Sequence, residues 1–413
     1  MSKAKGSVIV VGFNVRPLAY SLHKAGLEVY AVDFFGDLDL YPYVKDSIIV
    51  TDELDDTYEN LKENFKYYLA KFCIELLKRH PNIDFLLIGS GLDDAFDERR
   101  MILEYILQKD SRIISLNNNL ETIKRARDIE QIYSYLKSNG FSVPHTIPLN
   151  KTEVYGHLQF PLILKKKSSS GGANVYKVDN ISNLNMKIQQ IEDSDILNEW
   201  LLQEYIEGIP VSCTIISNGR DTEIISINRQ IIGLKLLNPP KPFMYCGNVV
   251  PAYLTQADRK RILKISNNLA DTLKLRGING FDFVIKDHVP YLMEINPRIP
   301  GSIRASEESL GLNLLNLHIK SFTLSKWEKV KNVLKNSEMN TFTTKLIVFA
   351  PDTIPISKIK IINKMKYVHD KSPPVEPIQK NHPVCTILYK DKNFAESFFK
   401  ALKITDDIFR LVG

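Results

Sequence analysis

Two acids, an amide and an arginine fall at a spacing that could hold a divalent cation beside a phosphate. Residues 291–302 read YLMEINPRIPGS, an apolar run interrupted by Glu294 and followed by Asn296 and Arg298. Side chains alternate along a strand, so Glu294 and Asn296 share one face while Met293 and Ile295 take the other. In the preceding run, GFDFVIK, Phe281, Phe283 and Ile285 share a face and Asp282 lies opposite them. A short polar turn around Asp287-His288 joins the two runs. With a three-residue turn Lys286 faces Pro290 and Asp282 lies across from Glu294. A two-residue turn slips the pairing by one and parts the acids. Adjacent carboxylates repel each other. Mg²⁺, which takes carboxylate, water and phosphate oxygens, relieves that repulsion. Arg298, just past the strand, could face the same phosphates. The same spacing also fits a solvent-facing acid pair on an ordinary hairpin.

A second candidate is PLILKKKSSSGGANVYKV, which sets Lys165 on an apolar strand ahead of a Ser/Gly loop. Glycines let backbone N–H groups approach phosphate, and serine hydroxyls add donors. The loop also reads as an exposed hairpin with basic flanks. It is not a Walker A loop, since no GK[ST] occurs, and VVGFNVRP has one glycine where a dinucleotide fingerprint needs three. His23, His145 and His318 have no partners at metal-ligand spacing.

These residues need elements to hold them. SVIVVGFN, LEVYAVD, DFLLIGSG and RIISLN read as buried strands alternating with helices, an open parallel sheet over residues 1–118. A helix follows over roughly 120–139, ending at Gly140. Beyond residue 160 strands come at hairpin spacing: FPLILKKK, ANVYKV, WLLQEYI, PVSCTIIS and TEIISINRQIIG. A helix opens at Thr255, boxed by Asp258, with Ile262, Leu269 and Leu273 on one face. Tyr245–Asn248 reads as a loop over the site, and 325–340 as a polar connection. Two strands, TTKLIVFA and VCTILYK, and a helix close the chain. Its 413 residues exceed one ordinary core. The net charge of +6 carries no Lys/Arg block, which argues against nucleic acid, and no run is long enough to span a membrane. Four isolated cysteines and no CxxC argue against a zinc or disulfide framework and fit a reducing, cytoplasmic setting.

The order of these pieces resembles the ATP-grasp superfamily over about residues 5–320, and within it an archaeal group of predicted ATP-dependent carboligases. PLILK…SSSGG is similar to the family's lysine strand and mobile glycine loop, LLQEYIEG to its adenine hinge, and GFDFV…YLMEINPR to its paired metal strands. The segment from Ile378 to Leu402 resembles the strand and helix appended to biotin carboxylase. The implied fold is α/β: a Rossmann-like domain (1–118), a small ATP-grasp subdomain with its linker helix (119–205), a large one with the metal site (206–325), and a C-terminal α/β appendage (340–413).

The resemblance implies roles position by position. Lys165 contacts nucleotide phosphates, and Ser168, Ser169, Ser170, Gly171 and Gly172 close over them. Gln203, Glu204 and Ile206 line the adenine pocket. Asp282, Glu294 and Asn296 hold Mg²⁺, or Mn²⁺ in its stead, and Arg298 stabilises the transferred phosphoryl group. The chain departs from the family at three places: Pro210 where a ribose-gripping acid is usual, Gly280 where an arginine is usual, and Asp128-Ile129 where an Asp-Lys pair is usual, with Lys124 and Arg127 nearby. Glu207 and Lys124 stand near enough to substitute.

The chemistry implied is activation of a carboxylic acid by ATP as an acyl phosphate, then attack by an amine. Positioning and charge neutralisation suffice for it, and no nucleophilic side chain is needed. Ligands of open α/β sheets collect at the strands' carboxyl ends, which points to Arg16, Ser90 and Gly91 for the acceptor, although Arg16 equally reads as a surface helix cap. Asp33 reads as a turn residue. A carboxylase using carboxyphosphate, or a nucleotide-binding regulator without turnover, remain as alternatives, and a homodimer is compatible with either.

Overall fold

The computed structural model describes residues 5–109, 112–149, 159–168, 171–191 and 194–413. Its first sheet has five parallel strands: β1 (Ser7–Gly12), β2 (Glu28–Asp33), β3 (Asp46–Ile49), β4 (Phe85–Ile88) and β5 (Ile114–Ser115), in the order β3-β2-β1-β4-β5. Val8 to Val11 are fully buried, as a strand covered on both faces by helices requires. β3, with the sequence DSII, is too short and polar at its start to stand out in the sequence. Asp33 fills the turn role expected of it: its carboxylate accepts from the amides of Val15, Phe35 and Gly36.

The helix expected over 120–139 is two helices, Leu120–Arg127 and Ile129–Ser138. Asp128 divides them, ending the first and accepting from the Gln131 amide to cap the second. A four-stranded antiparallel sheet follows, in the order β6-β9-β7-β8, with β6 Thr146–Pro148, β7 Leu162–Lys166, β8 Val175–Val178 and β9 Trp200–Glu204.

The large sheet is built from β10 (Ile209–Asn218), β11 (Thr222–Ile232), β12 (Tyr245–Val250), β13 (Arg276–Lys286), β14 (Val289–Asn296), β15 (Phe342–Phe349), β16 (Val368–His369) and β17 (Pro383–Asp391). Its order is β14-β13-β10-β11-β12-β15-β17-β16. The C-terminal strands thus extend this sheet through β12, which is the segment expected to be a loop at Tyr245–Asn248. Gly247 permits the approach: with φ at +136°, any Cβ there would collide with the Lys345 carbonyl. Residues 325–340 also differ from expectation. Helix Trp327–Lys335 buries Trp327, Val330 and Leu334 in a cluster with Leu314, Leu317 and Ile278. These three residues, at i, i+3 and i+7, make one stripe, with Val333 partly buried beside it.

Helix Gln256–Leu273 starts as expected, with Thr255 accepting from the Asp258 amide, and packs Ile262, Leu269 and Leu273 against Phe281, Phe283 and Ile285. Burying each of those phenylalanines contributes about 1.5–3 kcal/mol. That packing decides which way β13 faces: with its phenylalanines turned to the helix, Asp282 is turned to the opposite side.

Candidate active site

β13 and β14 are joined by a two-residue turn, Asp287-His288, with φ values of +48° and +64°. Lys286 pairs with Val289, not Pro290, so the three-residue turn is not what sets the register. A β-bulge does. The pairing runs Phe283 to Leu292, skips Met293, and resumes with Asp282 opposite Glu294 and Gly280 opposite Asn296. One extra residue in β14 undoes the slip that the short turn imposes, and the acids meet.

Asp282 accepts from Asn296 Nδ2 at 2.9 Å and from Gln230 Nε2 at 3.0 Å. Burial, and then the charge of Glu294, push its pKa up to about 7. Glu294 is paired with Arg127, whose guanidinium also takes Asp94 in a fork, Nε to Oδ1 at 2.7 Å and Nη2 to Oδ2 at 2.8 Å. Burial alone would lower the Arg127 pKa; Glu294 and Asp94 outweigh it and raise it. Beside this pair, Arg298 Nε meets Asp93 at 2.5 Å. Burial favours the neutral Asp93, but Arg298 and then Arg127 hold its pKa below the usual carboxylate range. Asp93 and Asp94 come from the GSGLDD turn after β4, so the first domain clamps the two arginines that flank the acid pair.

From the small sheet, Lys165 Nζ points at the carbonyl of the bulged Met293, 3.5 Å away. Desolvation, opposed by Glu294, brings its pKa down to about 8. The glycine loop after β7 rests on the large sheet: the Tyr245 amide donates to Gly171 O at 3.0 Å, and Lys241 Nζ to Ala173 O at 2.6 Å. Gly172, with φ at +80°, leaves no room for a Cβ against the Phe243 carbonyl. Ser168 is exposed at the start of this loop; Ser169 and Ser170 lie outside the described residues. On β9 the Gln203 side chain is occupied by Tyr133 and Thr146, at 3.1 and 2.9 Å, and its backbone pairs with Thr146 on one side and Ile163 on the other. Glu204 is tied to the His145 amide, and Ile206 is buried beyond it.

The acceptor residues are less simply placed. Arg16 is neither a surface cap nor free: it is buried and paired with Asp370 at 2.8 Å and Asp39 at 3.2 Å. Ser90 and Gly91 pack on the turn after β1, where Ser90 O accepts from the Phe13 amide. Lys124 is exposed, its ammonium 5.5 Å from the Phe96 ring centre, while its neighbour Arg127 reaches the acids. Arg127 and the Asp93-Asp94 pair are the residues that sequence reasoning passed over as actors; their partners lie 33 to 205 positions away.

The donor set suits a small hard cation. Two carboxylates stand directly opposite each other with an amide on the same face, and burial and then the facing Glu294 raise the pKa of Asp282, a cost that a bound cation would offset. Among the described residues no cluster of three His, Cys, Asp or Glu side chains is found, so the third protein oxygen would be the Asn296 amide.

Comparison with known proteins places this site in context. The sequence model of the ATP-grasp domain matches residues 126–302. An uncharacterized protein of Methanocaldococcus jannaschii, MJ0776, is 27% identical over 390 residues, 93% of this chain and 88% of that one. A D-alanine--D-alanine ligase of Leptospira interrogans is 26% identical over 164 residues, which span 38% of this chain and 45% of the relative's length. The crystal structure of an L-amino acid ligase from Bacillus licheniformis shares the fold, with a TM-score of 0.68 over 98% of both chains at 16% identity.

Proposed function

Residues 126–302 form an ATP-grasp domain, and on that premise we propose that the protein is an ATP- and Mg²⁺-dependent, ADP-forming ligase joining a carboxylic acid to an amine. The observation that carries this reading is the seat made by Asp282, Glu294 and Asn296, faced by Lys165 and flanked by Arg127 and Arg298. A D-alanine--D-alanine ligase among its relatives and an L-amino acid ligase sharing its fold support the same chemistry.

In this reading Asp282, Glu294 and Asn296 would hold Mg²⁺, which when bound would supply positive charge that offsets the acids and the nucleotide phosphates. The chain does the rest by placement. The hinge segment from Gln203 to Ile206 holds the adenine. Lys165, with a pKa near 8, is protonated at neutral pH and offers three N–H donors to phosphate oxygens. The loop through Gly171 and Gly172, already seated on Tyr245, excludes water that would hydrolyse an acyl phosphate. A substrate carboxylate oxygen bonds to the γ-phosphorus as the bond to the ADP oxygen breaks, and Arg298 faces the charge that builds there. The amine nitrogen then bonds to the acyl carbon, inorganic phosphate leaves, and the amine's proton passes to solvent. Four free, buried cysteines suit a reducing cytoplasm, and no described helix is long and apolar enough to cross a membrane.

ADP release from pooled carboxylic acids and amines, with mass spectrometry of the product, tests the proposal. Asp282→Asn and Glu294→Gln should each abolish Mg²⁺-dependent release with the fold retained. Near-normal turnover in either variant refutes the metal assignment. Release that needs bicarbonate but no amine identifies the carboxylase alternative instead.

A further inference from the structure

The seat between β13 and β14 is already occupied by a cation of the protein's own. Arg127 is the last residue of helix Leu120–Arg127, and its side chain is buried. Its Nε and Nη2 form the fork on Asp94, and Nη1, the nitrogen outside the fork, reaches Glu294. Asp94 belongs to the first domain and Glu294 to β14, so the guanidinium spans an anchor and a metal-facing acid. The oxygens of Asp282 are covered as well, one by Gln230 Nε2 and the other by Asn296 Nδ2. These donors are not equivalent. An amide can turn and offer its oxygen to a cation, whereas a guanidinium has no acceptor atom and carries a like charge. The amides can remain beside a metal ion, but Nη1 must leave Glu294. The wider network is balanced without a metal: Asp282, Glu294, Asp93 and Asp94 interact with Arg127, Arg298, Arg99 and Lys165, and fully ionised these four acids and four cations sum to zero. A divalent cation entering alone adds two positive charges to that cluster and leaves Nη1 without its acid in a buried place. A nucleotide entering with it supplies phosphate oxygens for Nη1 at the same moment.

We infer that Arg127 is a place-holding cation: it occupies Glu294 while the seat lacks metal, opposes entry of a free metal ion, and passes Nη1 to nucleotide phosphate when metal and nucleotide arrive together. The fork on Asp94 makes the exchange short. It keeps the guanidinium in the cleft while one nitrogen changes partner. Two consequences follow for binding. Metal alone and nucleotide alone bind weakly, and each strengthens the other by the same factor, because coupling between two ligands is reciprocal. The inference rests on one part of the ligase reading, the assignment of Asp282, Glu294 and Asn296 as metal-holding residues. It is independent of which acid and amine are joined.

Mn²⁺ binding to the full chain tests this without turnover. The paramagnetic resonance signal of free Mn²⁺ is titrated with and without a non-hydrolysable ATP analogue. In the unaltered protein the analogue should tighten Mn²⁺ about 100-fold. Arg127→Met should bind Mn²⁺ alone about tenfold more tightly than the unaltered protein and bind the analogue more weakly, so the coupling shrinks. Arg127→Lys, which keeps a charge beside Glu294, should stay close to the unaltered protein in its Mn²⁺ affinity. A purely structural arginine predicts the reverse, since its loss would loosen the seat. Mn²⁺ affinity that is unchanged or weaker in folded Arg127→Met therefore overturns the inference, as does tight Mn²⁺ binding to the unaltered protein without nucleotide. Where the methionine variant does not fold, Arg127→Gln, which can still bond Asp94, carries the same expectation and the same refutation. Failure to form ADP with any acid and amine refutes the ligase reading alone, and the Mn²⁺ comparison still decides the place-holding role either way.

Discussion

Replacing Arg127 by Met tests the arginine clamp and the acid pair together. The side chain is 7% exposed and makes a two-bond fork to Asp94 and a further bond to Glu294. Methionine keeps most of the volume and removes the charge, leaving two carboxylates without their counter-ion. Breaking a buried pair in this way costs about 3–5 kcal/mol. Glu294 is 33% exposed and Asp94 14%, so solvent recovers part of Glu294's share and about 3 kcal/mol is the better figure. Spread over the unfolding entropy of a 413-residue chain melting as one unit, that is a fall of roughly 3–4 °C in Tm. Adding Asp94→Asn to the variant removes the more buried orphaned charge and should return about half of the loss. Activity should behave otherwise. If the guanidinium also serves nucleotide phosphate beside Lys165, ADP formation falls about 10²- to 10³-fold and stays down in the double variant. Scanning calorimetry and a coupled ADP assay on both variants supply the two readouts. Full turnover in Arg127→Met, or recovery of turnover along with Tm in the double variant, would make the arginine a structural strut only.

Two further outcomes are expected. In metal-free protein the folded state keeps the Asp282 proton up to about pH 7, whereas the unfolded chain releases it near 3.8, so stability should fall by up to about 4 kcal/mol as pH rises across that window. Mg²⁺ with a non-hydrolysable ATP analogue should restore it, and Asp282→Asn should flatten the pH dependence; equal slopes of Tm against pH in both proteins would contradict the raised pKa. Gly172→Ala forces a Cβ against the Phe243 carbonyl and should detach the glycine loop from β12, raising the KM for ATP about tenfold with little change in Tm; an unchanged KM would show that the seated loop is not needed.

What could be read from the chain divides by distance along it. Buried runs such as Val8–Val11, the Thr255–Asp258 cap and the alternation of Phe281, Asp282 and Phe283 are local patterns, and each came out as its period demands. The facing of Asp282 and Glu294 was also legible, but through the wrong device. The turn holds two residues, and the acids meet because Met293 bulges out, a feature for which alternation gives no sign. β12 was misread because YCGNVV carries a mid-strand glycine, which weakens a strand unless another backbone must come close; here that backbone is β15, nearly a hundred residues on.

The same logic explains what was missed at the site. Arg127 stands beside the missing phosphate lysine, yet Lys124 reads as the substitute, and Asp93-Asp94 reads as the end of a turn, because neither segment carries a local mark of its distant partners. Their roles arise from closure between domains: Asp94 reaches Arg127 and Asp93 reaches Arg298 only when the β4 turn lies against the end of β14. A departure in the sequence nevertheless pointed there. Ile129 stands where the family usually has a phosphate lysine, and the nearest cation that enters the cleft is Arg127, two residues earlier at the end of the preceding helix. A missing charge in a site that must neutralise phosphate is therefore a reason to search the flanking turn for its replacement, and long-range ion pairs rather than motif matches identify it.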